Sequence, residues 1–339
     1  MAKKRCVAAL RSAAWLWLCL FAGPLGAATT LKVGYVPIMP MAQLFVLEGE
    51  GWAKSAGLNL QKTPFAEGPA IVTALEKGEL DVAYFGIGPT LVSRAKGVDI
   101  RVVASNVIEQ IALVVRGDLT RYMLRNPKVG LQRFRAKKGR KAKIATFSKG
   151  SVPDTVLRHW LTKVANLGED TVEIVPMGAE RVQQALLLGE VDGASILEPV
   201  ITLVLARERS AKVMLTGGEM MPDQPGAVLA VRGELIRKQP KIVQKLVDLH
   251  LHATEFLILE PERAAKHVRQ ALGEDKISLE MAERAITSPY GKFVADPYRI
   301  RASTARMHDF QREIGVLKAP VPLDDLFETR FFDAAAAKL

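Results

Sequence analysis

The sequence predicts an α/β protein of two lobes, and three observations carry that expectation. Short apolar strand-like runs alternate with amphipathic helical stretches, the order that gives a mostly parallel sheet with helices packed on it. The alternation runs once through residues 31–95 and begins again at residue 143. After each run comes a similar strand, Ile111–Leu119 and Gly226–Leu235, and each ends in Val-Arg-Gly, an acid and Leu.

Along the chain, the first residues read as an export signal. Lys3, Lys4, Arg5 and Arg11 precede a short apolar run, Ala13 to Gly23, then Pro24 and the small residues Gly26-Ala27-Ala28. Basic, apolar, small is the order of a cleaved signal peptide over residues 1–28, and the core is too short for a stable membrane span. A periplasmic location is therefore expected. Both cysteines, Cys6 and Cys19, fall in this segment, so thiol chemistry and disulfides are not expected of the mature chain.

The mature part opens with a predicted strand, Leu31–Val36, a helix from Gln43 to Ala56, a strand Leu58–Lys62, a helix from Pro69 to Lys77, a strand Val82–Phe85 and a helix from Pro89 to Ala95. The second run has strands at Lys143–Phe147, Thr171–Val175 and Gly193–Leu197, with helices from Pro153 to Val164, from Ala179 to Leu188 and from Pro199 onward. Amphipathic helices at 241–259, 261–272 and 279–286 fill the C-terminal third. If the two similar strands are the crossings between lobes, lobe 1 is discontinuous (29–113 and 229–339) and lobe 2 is the insert 114–228.

Composition narrows the partners. The formal charge of +11 falls by 4 to +7 once the signal is removed. A positive balance favours anionic partners or serves solubility. No nucleic-acid motif is present, and nucleic acid is not expected as a partner. Residues 128–143 hold eight Lys or Arg and no acid, which reads as a solvated face.

Enzyme signatures are missing. There is no Gly-x-Ser-x-Gly elbow, no phosphate loop and no spaced-glycine dinucleotide fingerprint. Five histidines fall in predicted helices, and none has the i, i+4 histidine partner of a zinc helix. Met39, Met41, Met220 and Met221 could suit a soft metal, but thioethers are more often adaptable apolar lining. No catalytic residue, metal or cofactor is expected.

Binding signals lie at strand exits, where ligands of open α/β sheets meet the amides of the next helix. Four exits have unusual composition. The first is Pro37 to Gln43, with Met39, Met41 and Gln43 as candidates. Gly86, Ile87 and Gly88 follow the third strand. Ser148, Lys149, Gly150 and Ser151 form the third turn, where glycine, serine hydroxyls and a lysine suggest an anion cradle. Glu198, before Pro199, marks the fourth and could hold an ammonium group or stabilise its own helix. Asp223, shortly before the second similar strand, completes the candidate set.

At these turns the chain resembles the nitrate/sulfonate/taurine-type substrate-binding proteins of ABC importers, a group that includes thiamine-precursor binders. The matching residues are Val33-Gly34-Tyr35-Val36-Pro37, the helix from Gln43 to Trp52, Gly78-Glu79-Leu80-Asp81-Val82-Ala83, Lys149-Gly150-Ser151, and Gly189-Glu190-Val191-Asp192-Gly193-Ala194 with Glu198-Pro199. The resemblance implies a type II periplasmic-binding fold, two α/β lobes with two crossing strands and a ligand closed between them. It also implies a small-molecule solute and, as partners, a membrane permease and its ATPase; the protein itself is expected to be a monomer. Ile87 and Leu197 stand where such proteins often carry aromatics, which argues against a flat pyrimidine and leaves an aliphatic sulfonate or taurine-like solute. The rival expectations are another small polar or nitrogenous solute, or an exported enzyme or sensor on the same fold.

Overall fold

The structure is a computed structural model and describes residues 28–338; residues 1–27 of the expected signal segment, with both cysteines, lie outside the described residues. In chain order the first run comprises β1 (Thr29–Tyr35), α1 (Ala42–Gly49), α2 (Trp52–Ser55), β2 (Leu58–Pro64), α3 (Gly68–Glu76), β3 (Val82–Gly86), α4 (Ile87–Ala95) and β4 (Ile100–Ser105). A short β5 (Val107–Ile108) leads to β6 (Ala112–Val115), α5 (Gly117–Met123) and α6 (Pro127–Lys138). The second run is β7 (Ala142–Thr146), α7 (Val152–His159), β8 (Val172–Pro176), α8 (Ala179–Leu188), β9 (Gly193–Ile196), α9 (Val200–Arg207), β10 (Lys212–Thr216) and α10 (Gly217–Met220). Then follow β11 (Ala227–Arg232), α11 (Gly233–Lys238), α12 (Pro240–Leu259), α13 (Pro261–Leu272), α14 (Leu279–Ile286), β12 (Lys292–Phe293), α15 (Arg301–Glu313) and α16 (Arg330–Ala336).

The strands form two five-stranded sheets with the same layout. One runs β2-β1-β3-β11-β4; the other, read in the matching direction, runs β8-β7-β9-β6-β10. In each, three strands are parallel and the fourth, β11 or β6, is antiparallel to its neighbours. The two similar strands of the sequence therefore occupy equivalent places, β6 in the second sheet and β11 in the first. Each is traded to the other half of the molecule. The divisions expected at 113/114 and 228/229 cut through these two strands; by sheet membership we place the passages at 106–111 and 217–226.

The repeated Gly-Glu-x-Asp motif has a matching structural task in both sheets. Asp81 Oδ2 accepts from the Lys32 N–H at 2.9 Å, and Asp192 Oδ2 accepts from the Lys143 N–H at 2.8 Å. The carbonyls of the same two aspartates accept from the N–H of Arg232 and Arg116, each at 2.9 Å. These aspartates stitch the first strand and the traded strand of each sheet to the third.

Two element boundaries differ from the sequence expectation. The helix expected over 43–56 stops at Gly49 because Gly51 adopts a left-handed φ of +73, and α2 restarts beyond it. The helix expected over 153–164 loses its α geometry after His159 and continues as a π-turn over Trp160–Val164. Of the eight cations in 128–143, five form ion pairs with acids of other elements, including Arg140 with Asp192 at 2.6 Å. Among the described residues no helix is long and apolar enough to cross a membrane.

One buried apolar cluster joins the lobes. It contains Phe85, Ile87 and Leu91 of the first lobe together with Val152, Val156 and Leu157 of α7. A second cluster fills the first lobe between its sheet and α1, α12 and α13, and a third lies under α8 and α9.

Candidate functional site

The exits of both sheets open onto one gap. Its central cavity, about 40 Å³, is lined by Val36, Ile38 and Met41 after β1, by Glu67 and Gly68 after β2, and by Gly86 and Pro89 at the β3–α4 junction. The second lobe contributes Phe147, Ser151, Val152 and Pro153 after β7, and Leu197 after β9; Gln110 comes from the first passage and Ala227 from the start of β11. Ile38 and Leu197 also line a neighbouring cavity of about 80 Å³ with Pro37, Glu198 and Pro199. Gln110 and Glu198 line a third, about 20 Å³, with Met39 and Tyr290. The cleft is thus narrowed to a chain of small spaces between the lobes.

What holds it closed is legible at glycines. A Cβ on Gly88 would stand 2.6 Å from the carbonyl oxygen of Gly150 in the opposite lobe. One on Gly86 would meet Val152 Cγ2 at 3.1 Å. The helices α4 and α7 therefore begin side by side across the gap, and first-turn N–H groups have no intrahelical acceptor. In α7 the Ser151 Oγ accepts from the Asp154 N–H at 3.3 Å, and Asp154 Oδ2 accepts from the Gly150 N–H at 3.0 Å. Burial pushes the Asp154 carboxyl above its ordinary range, opposed by Arg158, whose Nε donates to it at 2.8 Å.

Of the residues singled out from sequence, Met41, Gly86 and Ser151 line the central cavity, while Met39 and Glu198 line its neighbours. Ile87 is fully buried, and its N–H donates to the Gly226 carbonyl at 2.9 Å. Ser148 keeps a buried hydroxyl with no partner among the described residues. Gly150 is buried in a left-handed turn, φ +87, against Val316.

Three candidates are placed elsewhere. Lys149 is exposed and lines an outer groove of about 370 Å³ with Gly150, Lys96 and Val316; the turn at Gly150 carries its long stem toward water. Gln43 is fully buried inside the first lobe, where its Nε2 donates to the Asn106 carbonyl at 2.7 Å and so pins the start of the first passage. Asp223 lies exposed at φ 53, its carboxylate 4.0 Å from Arg306.

Glu198 is 4% exposed, and both of its oxygens are engaged within α9: Oε2 accepts from the Thr202 N–H at 3.0 Å and Oε1 from the Thr202 hydroxyl at 2.9 Å. Burial pushes its carboxyl up, opposed by these bonds. Sequence reasoning passed over Glu67, Gly68 and Gln110. The available signal was Gly68-Pro69, the same glycine–proline pair that marks the exit at Gly88-Pro89.

A family model described as the NMT1-like family matches residues 26–272, most of the chain. The chain belongs to the NMT1-like family. A Brucella abortus (strain 2308) chain named as a binding protein is 24% identical over 310 residues, covering 90% of this chain and 92% of its own. The taurine-binding periplasmic protein of Escherichia coli K12 is 27% identical over 217 residues, 62% of this chain and 61% of that one. Among solved structures, the ligand-binding component of an ABC-type import system from Staphylococcus aureus, with zinc bound, superposes with a TM-score of 0.74 at 19% identity, covering 91% of this chain and 99% of that one. The fold of this NMT1-like protein is accordingly the two-lobed periplasmic-binding fold. Its described residues gather no group of three His, Cys, Asp or Glu side chains able to hold a metal ion.

Proposed function

We propose that this protein is the solute-binding component of an ABC importer, catching a small anionic or zwitterionic solute, an aliphatic sulfonate or taurine-like molecule, between lobes that close over it. The carrying observation is that the exits of two matching sheets meet in one gap between the lobes, with the first turns of α4 and α7 at its edge. With Pro89 and Pro153 lacking an N–H and those of Ile87 and Asp154 engaged, the Gly88 and Val152 amides at the two helix starts suit an acid group, and the apolar walls of Ile38, Met41, Phe147 and Leu197 suit a short aliphatic body. The likeness to a taurine-binding periplasmic protein supports the solute class, and the likeness to an import component supports a permease and ATPase as partners. The closed lobes would present the loaded form to the permease from the periplasm. Binding is favoured over catalysis by the lining: no histidine faces the cavity, and Ser151 Oγ is engaged with the helix it caps.

The test is a thermal-shift panel on the protein isolated from a periplasmic extract, with sulfonates, nitrate, small carboxylates and amino acids. A solute at one hundred times its dissociation constant adds about 2.7 kcal/mol and a clear rise in Tm. A rise with a sulfonate, and recovery of that sulfonate unchanged after long incubation, is the expected result. No shift with any sulfonate would remove the solute class, and a turned-over ligand would remove the transport role.

A further inference from the structure

We infer that the solute carries a protonated amine and that Glu67 is its counter-charge. This rests on the central cavity being the solute site. Among the described residues, Glu67 is the one ionisable residue in that cavity's lining. It occupies the N-cap position of α3, yet its side chain makes no bond to the helix it precedes. Two cations of the flanking elements are already held, Lys62 by Glu48 at 2.9 Å and Lys96 by Glu76 at 2.8 Å. Lys149 points into the outer groove.

Gln110, 4% exposed, lines the same cavity, and its Oε1, partnerless among the described residues, is turned inward beside Gly226. The cavity therefore offers the Glu67 carboxylate as an acceptor, with the starts of α4 and α7 beside it. A simple anion would meet the helix amides but also a half-buried carboxylate in poorly screened surroundings, which disfavours it. A zwitterion satisfies both ends, with its acid group at the helix starts and its ammonium on Glu67. Glu198, the acid that the sequence suggests for this role, has both oxygens on Thr202. A site carboxylate left without its counter-charge works against the analogue that lacks the ammonium.

The experiment is calorimetric titration of the wild-type protein and Glu67→Gln with taurine, ethanesulfonate and β-alanine. Wild type is expected to hold taurine at least about ten-fold tighter than ethanesulfonate, a difference of about 1.4 kcal/mol. Glu67→Gln is expected to weaken taurine by a similar factor and leave ethanesulfonate unchanged, removing the preference. Because the Glu67 side chain caps nothing, the ligand-free Tm of the variant is expected to match wild type; Glu67→Asp, which keeps the charge on a shorter stem, is the second variant. Lys149→Met is expected to leave the preference intact. Equal wild-type affinity for taurine and ethanesulfonate, or taurine affinity indifferent to Glu67→Gln, overturns the inference while solute binding stands. If neither sulfonate binds but β-alanine does, and loses affinity in Glu67→Gln, the sulfonate class falls and the amine role of Glu67 stands. No binding by either amine-bearing probe overturns it.

Discussion

Glu198 illustrates how a residue that reads as a ligand contact can serve the fold first. It sits at the exit of β9 with its carboxylate turned back onto α9, and Thr202 supplies both a backbone and a hydroxyl donor. Charge at a helix start is favourable, but burial works against it, and the net effect is a carboxyl held above its ordinary 4.5. A carboxyl whose folded-state value is raised contributes stability that is complete below the unfolded value and is lost as pH rises through the folded value. Glu198→Gln keeps an acceptor for Thr202 and removes the buried charge. Its Tm is expected to equal that of wild type near pH 4 and to exceed it progressively as pH rises above 4.5, followed by calorimetry across the range. Parallel curves for the two proteins would show that the carboxylate carries no burial cost.

At the scale of elements, α15 is the piece that ties the halves together. It packs against α4 of the first lobe and α7 of the second. From its buried face the Gln311 Nε2 donates to the Gly150 carbonyl at 3.0 Å and to the Thr155 hydroxyl at 3.1 Å. Gln311→Ala leaves a buried carbonyl without its donor, and a loss of about 1–3 kcal/mol in urea unfolding is expected; a loss under about 0.5 kcal/mol, the range of an ordinary surface change, would deny it that role. Neither this strap nor its partner loop is visible in a periodicity pattern, because the contact joins residues 161 positions apart. The elements themselves were legible. Alternating strands and helices, Gly and Pro at the exits, and the repeated Val-Arg-Gly strand end all reflect local backbone rules that hold wherever the chain folds. Side-chain direction at the exits was not legible. Lys149 and Gln43 stand in the expected turns but face water and the lobe interior, and that choice depends on which neighbour packs over the turn.

The molecule as a whole repeats one sheet layout twice, and trading β6 and β11 between the halves leaves two short passages, 106–111 and 217–226, as the covalent links beside α15. Gly226 packs tightly there: a Cβ on it would lie 2.4 Å from the Val107 carbonyl in the other passage. Motion of one lobe on the other is thus confined to few backbone torsions, as in hinge closure. The closed limit is set where Gly88 meets Gly150, since a backbone carbonyl cannot retreat as a flexible side chain can. Alanine at 88, in the first turn of α4, suits a helix no worse than glycine, so α4 itself should not suffer. Its methyl group would instead hold the lobes apart. With spin labels at Lys77→Cys and Leu188→Cys, both exposed and one in each lobe, Gly88→Ala is expected to lengthen the inter-label distance by electron paramagnetic resonance relative to the parent. It is also expected to weaken taurine binding at least about ten-fold, because the amides of α4 and α7 could no longer reach one solute together. An unchanged distance with unchanged affinity would mean that the lobes close on some other contact, and that the glycine serves only the packing of its own helix.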